Sequence, residues 1–242
     1  MVARLRPDSG AGERCCPVIA SGNLLDTHRT PPAQVPGGVV VAGRATISRM
    51  STSAHRLYLT GNETADRLLV EEPLALLIGF SLDQQITVQK AFSGPLDLRA
   101  RLGHLDAARI GALDPAELDR VFRERPALHR FPGAMSAKVG QLCRVVAGTY
   151  GNDASRIWRE ARDGRDLQAR LMALPGFGEM KVKGVLAVLA KRLGVAVPGI
   201  AQVLPSYPTL GDVDSAEALA EYQARKRAYK AELRAAGKTF AP

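Results

Sequence analysis

Apolar residues along this chain recur at three- and four-residue spacing, and nowhere do they alternate with polar ones for long enough to make a strand. The pattern begins near Glu63. Asn62 is placed to cap a helix there, with Glu63 in its first turn and Glu71, Glu72 and Pro73 closing it. Pro73 suits the first turn of the next segment, 74–85, which is apolar on most faces and so predicted to be buried. Residues 87–92 continue as a helix that Gly94 and Pro95 break. Asp114 and Pro115 mark another start, as N-cap and first helical residue. In 136–146, Val139, Leu142, Cys143 and Val146 share one face. Helices at 154–161 and 167–173 follow, then a Gly-containing hairpin, a helix at 179–193, a Pro-containing connection and a last helix at 215–236. The prediction is an all-α domain over 50–242 with roughly ten short helices. Such chains form two helical lobes with a cleft where ligands sit.

Residues 1–49 read differently. They are rich in Pro and Gly, contain no Lys and have one apolar cluster, Val39 to Val41, beside Gly37, Gly38 and Gly43. This is the composition of a disordered segment. Met50 then opens a stretch that looks like an ordinary protein start. The expectation is an upstream extension absent from the translated protein, which a mass-spectrometric peptide from 10–40 would refute.

Charge narrows the partners. The 242 residues carry 33 Lys and Arg against 24 Asp and Glu, a formal charge of +9. Such a balance favours polyanions, nucleic acid before acidic membrane, although an Arg-rich solvated surface looks the same. Cys15, Cys16 and Cys143 make neither a disulfide framework nor a zinc pattern, which fits a reducing cytoplasm. No apolar run reaches the length of a membrane span, and Arg4 and Arg6 precede no signal-peptide core.

The hairpin carries the most specific chemistry. Leu171 to Val182 reads Leu-Met-Ala-Leu-Pro-Gly-Phe-Gly-Glu-Met-Lys-Val. Gly176 and Gly178 allow a tight turn with positive φ and let a phosphate approach the backbone. Gly178 opens the second helix, whose free N–H groups and dipole attract anions. Phe177 is expected to point inward and lock the helices. Leu174, Gly176, Phe177, Gly178, Lys181 and Lys183 are therefore the candidate DNA-binding residues, gripping backbone without reading bases. The bland alternative is an ordinary helix connection with a Gly cap.

With two further segments, this hairpin resembles the helix-hairpin-helix superfamily of base-excision DNA glycosylases (HhH-GPD). One is Leu76-Leu77-Ile78-Gly79-Phe80-Ser81-Leu82-Asp83-Gln84-Gln85, similar to the family's buried helix that ends in a Gln pair near the lesion pocket. The other is His129-Arg130-Phe131-Pro132-Gly133-Ala134-Met135-Ser136-Ala137-Lys138, similar to its glycine turn with lysine. The resemblance covers 74–195, in the family's order and spacing. A bacterial subgroup with a Phe-Gly-Glu-x-Lys hairpin and a Leu-Asp-Gln-Gln helix is more similar still. It implies a two-lobed DNA-glycosylase-like fold and duplex DNA as partner, in a cytoplasmic, nucleoid-associated protein whose oligomeric state the sequence leaves open, with a monomer preferred. A glycosylase must take its target base out of the stack and fill the gap. Gln84 and Gln85 are candidates for that role, or else helix-end residues satisfying local carbonyls. Asp83 reads as a surface charge or a pocket acid, with the surface preferred, and Trp158 as core.

The chain departs from the family at two positions. Strand-cleaving members carry a Schiff-base lysine two residues after the second hairpin glycine. Met180 stands there, and Lys181 follows about a third of a turn round the helix. The implication is a monofunctional enzyme with Lys181 and Lys183 on phosphates, unless a one-residue insertion returns Lys181 to the pocket. The family's aspartate, needed where positive charge develops on the sugar, falls in 195–203, which contains no acid. Asp212 and Asp214 are weak catalytic candidates, and Asp214 with Glu217 also reads as the cap of the last helix. No cysteine follows Cys143, so no iron-sulfur cluster is expected, nor any other cofactor or metal.

The last helix gathers Arg225, Lys226, Arg227, Lys230, Arg234 and Lys238, with Tyr222, Tyr229 and Leu233 as the stripe that docks it. Its basic face adds phosphate contacts or solubility. Three readings remain: a monofunctional glycosylase, a non-catalytic lesion-binding protein on that scaffold, and an unrelated helical interaction protein. The first two differ in whether a carboxylate reaches the cleft between the Gln85 helix and the hairpin.

Overall fold

The computed structural model describes residues 55–235. Among them are ten α-helices, two 3-10 turns and no strand, so the chain is all-α over this range. In order they are α1 (Glu63–Glu71), α2 (Pro73–Leu82), α3 (Val88–Leu102), α4 (Ala107–Ala112), α5 (Pro115–Arg123), α6 (Pro132–Tyr150), α7 (Arg156–Arg159), α8 (Gly164–Met172), α9 (Glu179–Lys191) and α10 (Ala216–Ala235). The 3-10 turns are Ile200–Gln202 and Leu210–Asp212. The expected extension 1–49, Met50 and Lys238 lie outside the described residues. No described helix is long and apolar enough to cross a membrane.

Local chemistry explains the starts that were legible. The Asn62 side chain accepts from Ala65 N–H, and the Asp114 side chain accepts from Ala116 N–H ahead of Pro115. Elsewhere packing overrides local signals. Gly94 and Pro95, expected to break a helix, lie inside α3. Both are buried, and a Cβ on Gly94 would come within 2.5 Å of Leu82 Cδ1, so the missing side chain is what lets α3 close on α2. That contact outweighs the backbone bond Pro95 cannot make. Helix α2 ends at Leu82, short of Gln85. Helix α4, not foreseen, starts where the Asp106 side chain accepts from Arg109 N–H at 2.7 Å. Only one turn, α7, forms in 154–161. Ser215, not Asp214, caps α10, its hydroxyl accepting from Ala218 N–H at 3.1 Å.

Helices α1 to α6 pack mainly on one another, and α8 and α9 pack with the 3-10 turns. Helix α2 meets both sets, through α6 and α9. Their buried side chains form one continuous core that includes Trp158. Two glycines set close approaches on α9. A Cβ on Gly184 would sit 3.2 Å from Phe80 Cε1 of α2, and one on Gly211 would sit 2.5 Å from the Ala187 carbonyl. The Phe80 ring in turn meets Phe92 edge-on, with centroids 5.0 Å apart. Helix α9 is thereby pinned to α2 near its middle and to the Leu210–Asp212 turn further along.

Candidate nucleic-acid interface

The hairpin closes with Phe177 N–H donating to the Leu174 carbonyl at 3.1 Å. Gly176 has φ of +78°, which a residue with a side chain rarely adopts. Gly178 does not share it. Its φ of −90° and ψ of 174° are extended values open to any residue, and it is the N-cap of α9 with no side chain closing the helix start. A Cβ there would meet nothing within 4 Å. The first turn of α9 therefore opens onto bare backbone, the setting in which helix N–H groups receive an anion. Leu174 and Phe177 are buried, so they brace the turn from inside rather than touch a partner.

Three residues of α9 leave the hairpin on different faces, because each step rotates about 100°. The Met180 sulfur accepts from the Tyr207 hydroxyl at 3.4 Å, on the side of the 203–207 loop. Lys183 pairs with Glu179 at 2.6 Å. Lys181 shares a face with Gly184 and so looks toward α2. Its Nζ donates to the Ser81 carbonyl at 3.3 Å and lies 5.3 Å from the centre of the Phe177 ring. Helix α9 thus aims Lys181 into the corner between the hairpin and the end of α2, not outward to phosphates as expected. Met180, at the position the resemblance gives to lysine, faces away. Burial pushes the Lys181 ammonium down to about 8, Asp83 opposes that shift and Lys138 adds to it. Ser81 Oγ, in the same corner, is buried with no hydrogen-bond partner among the described residues.

The two glutamines separate. Gln84 donates its amide to the Ser81 carbonyl at 2.9 Å, and its Oε1 accepts from Lys138 Nζ at 2.8 Å. It serves the local structure. Gln85 is exposed, at φ +56°, so it alone of the pair is open to solvent. Lys138 also runs along the hairpin, its Cδ 3.7 Å from where a Gly176 Cβ would lie. Behind it, His129 Nε2 donates to the Gln84 carbonyl at 2.9 Å while Nδ1 accepts from Phe131 N–H at 3.0 Å. That pair of contacts assigns the neutral Nε2–H form, and burial lowers the affinity of His129 for a proton. Lys138 and His129 were read only as parts of a motif. Their role was not legible, because it depends on α6 lying beside the 83–85 turn.

The acids sort equally clearly. Asp83, at the C-terminal end of α2, is half-buried and acts on both Lys181 and the buried side of Tyr222 from α10. The surface reading preferred from sequence placed it too far out. Asp212 belongs to the other end of α9. It accepts from Lys191 at 2.6 Å and closes a capping box with Thr209. Ten residues of helix separate Lys191 from Lys181, about 15 Å. Asp214 is exposed and caps nothing. No group of three or more His, Cys, Asp or Glu gathers among the described residues.

On α10, Gln223 and Gln89 of α3 exchange hydrogen bonds, at 2.8 and 3.4 Å, and Tyr222 packs on the core. Tyr229, expected in the docked stripe, is 53% exposed. Leu233, expected in the same stripe, is half-buried.

No family model, no curated protein and no solved structure matches the chain.

Proposed function

We propose that the chain binds duplex DNA through the hairpin and removes a damaged or mismatched base, as a two-lobed helix-hairpin-helix glycosylase. One observation carries the reading. The corner beside the hairpin holds a desolvated lysine, Lys181, with the carboxylate of Asp83 close enough to act on it, and exposed Gln85 stands two residues further on. Buried, perturbed ionisable groups in a recess mark functional sites. Gly176, Gly178 and Lys138 would hold the backbone. As the C1′–N bond to the base breaks, Asp83 would stabilise the cationic sugar and orient the water that adds to C1′. The departing base takes up the proton that the water gives up.

Lys181 favours a second reading. An amine with pKa about 8 is partly neutral near that pH and hence a nucleophile. Nζ would add to C1′ as the base leaves with a proton from the amine; the C1′–O4′ bond then opens to an iminium as O4′ takes a proton from water, and loss of a C2′ proton to water expels the 3′ phosphate by elimination.

Duplexes carrying uracil or alkylated, oxidised or deaminated bases test both readings. Under the first, strands break only after alkali, and Asp83→Asn abolishes the product. Under the second, strands break without alkali, and borohydride traps an adduct that Lys181→Gln loses. Salt-sensitive binding with no product at enzyme excess would leave a lesion-binding protein. No binding at all would overturn the proposal.

A further inference from the structure

A recess opens on the side of α9 away from the hairpin corner. Lys183 lies about 200° round the helix from Lys181 and so faces the other way. It stands on one wall of a recess of about 600 Å³, a volume within the range of small-molecule sites. Helix α8 gives a second wall, through Arg165 and Gln168. The connection after α9 gives the third, through Gln202, the apolar run Val203, Leu204 and Pro205, and then Ser206 and Tyr207.

The walls are fastened to one another. Gly164 N–H donates to the Pro198 carbonyl at 2.8 Å, and a Cβ on Gly164 would come within 2.7 Å of Ile200 Cα. The missing side chain lets the start of α8 close on the connection, which brings Arg165 and Gln168 to the same recess as Gln202. The far end of the connection is held to α9, where the Tyr207 hydroxyl donates to Met180 Sδ at 3.4 Å. A recess held in this way has little ordering left to do when a ligand enters.

Its polar groups are free to receive one. Arg165, Gln168, Gln202 and Ser206 make no side-chain hydrogen bond or ion pair among the described residues. No acid lines the recess. Lys183 pairs with Glu179 at 2.6 Å, at the margin, so Arg165 carries the uncompensated charge. On α8, Asp163 accepts from Asp166 N–H, and Asp166 pairs with Arg162 and Arg170. A free guanidinium with amide and hydroxyl donors around it suits a phosphate. Leu204, Pro205 and the Tyr207 ring, which is 41% exposed, add an apolar and aromatic ledge beside it. A flat ring that carries a phosphate matches both halves. We propose that this recess binds a mononucleotide, its phosphate on Arg165 and its base against the Tyr207 ring. The site goes beyond the proposed function and does not depend on it.

The test is calorimetric titration of the full chain, without DNA, with adenosine 5′-monophosphate, adenosine and inorganic phosphate. The monophosphate should bind more tightly than either of the others. Arg165→Gln should lower its affinity roughly tenfold, the order of one charge-assisted hydrogen bond, and leave that of adenosine unchanged. Arg165→Lys should recover part of the loss. Tyr207→Leu should weaken the monophosphate and adenosine alike, by several-fold. Arg165 is exposed, so Tm should not move with either change there. A monophosphate that does not bind, or whose affinity survives Arg165→Gln, overturns the site and leaves the DNA reading standing. Inorganic phosphate that binds as tightly as the monophosphate overturns it too. An intact duplex that displaces the monophosphate, and itself loses affinity through Arg165→Gln, assigns the recess to the DNA backbone and overturns the mononucleotide. A chain that binds the monophosphate as expected but no duplex upholds this site and fails only at the proposed function.

Discussion

Helix α9 carries a lysine near each end, and the two are treated in opposite ways. Lys191 reaches Asp212 at 2.6 Å, and both side chains are more than a third exposed. Asp212 is further occupied by Thr209, so the pair belongs to the frame that ends the 3-10 turn. Lys181 is instead drawn under the hairpin against Phe177 and the Ser81 carbonyl, and loses proton affinity to burial. One end of the helix satisfies its charge at the surface, and the other holds a charge at a cost. Residues that cost stability are retained where chemistry or binding uses them. Under the proposed function, the working end of α9 is the one at the hairpin.

Exchanging the lysines for methionine should break the symmetry most strongly. For Lys181 the neutral form is favoured by the folded state. Above 10.5 both folded and unfolded chains are neutral there, and the burial has no electrostatic cost. As pH falls from 10.5 to about 8 the unfolded chain takes up a proton that the folded chain resists, and below about 8 the full cost is present. Lys181→Met should therefore raise stability at pH 7, by roughly 1–3 kcal/mol in urea unfolding. Under the second reading it should also abolish adduct trapping. Lys191→Met should lower stability by about 1 kcal/mol or less and leave DNA activity intact. Stability lost at Lys181, or activity lost at Lys191, would reverse the assignment.

Two glycines probe the framing of those ends. Gly211→Ala would drive a Cβ to 2.5 Å from Ala187 backbone atoms, which cannot rotate away. Thermal unfolding should show a loss of about 3 kcal/mol. Gly184→Ala meets only the Phe80 ring edge at 3.2 Å. There a helix-propensity gain of about 1 kcal/mol offsets a small ring shift, so stability should change little. Its consequence should fall on function, because Phe80 sets how closely Lys181 approaches the end of α2.

Much of this contrast could not be read from residue order. The all-α class, the Asn62 and Asp114 caps and the hairpin were legible because they are encoded within a few residues. The Gly94–Pro95 break was misread because the deciding contact is with Leu82 on another helix. Lys181 was assigned to phosphates because a motif fixes position along a helix but not which neighbour the helix rolls toward. That roll is set by Gly184 under Phe80, more than a hundred positions earlier in the chain. Which end of α9 Asp83 and Asp212 each meet was hidden for the same reason. Gln84 and Gln85 are adjacent in sequence, yet only the fold shows Lys138 and Ser81 engaging one and leaving the other exposed.

A smaller effect comes from His129, which ties the Phe131 and Gln84 turns. Arg130 and Lys138 add to the burial that keeps it neutral. The unfolded chain protonates near the ordinary value of about 6.5, and the folded chain only below it. Stability should be complete above pH 6.5 and decline as pH falls below it. His104 shifts in the same direction, so its ring must be followed separately. Ring-proton titration by NMR resolves the two. A His129 that titrates at or above 6.5 would remove the tie from the account.

The two hairpin glycines divide stability from binding. Gly176 and Gly178 look alike in sequence, but only Gly176 needs a left-handed backbone. Gly176→Ala should cost roughly 1 kcal/mol or more through strain. Gly178→Ala meets open space at an ordinary φ, and a less flexible unfolded chain should make it neutral or more stable by up to about 1 kcal/mol. Yet the added methyl stands over the first turn of α9, where a phosphate would approach bare backbone. Intact-duplex affinity should drop several-fold for Gly178→Ala with Tm unchanged or raised. An equal drop in affinity from both variants, each matched by a loss of Tm, would mean that the glycines only shape the turn. A drop from Gly178→Ala without loss of Tm separates the anion site from the fold that carries it.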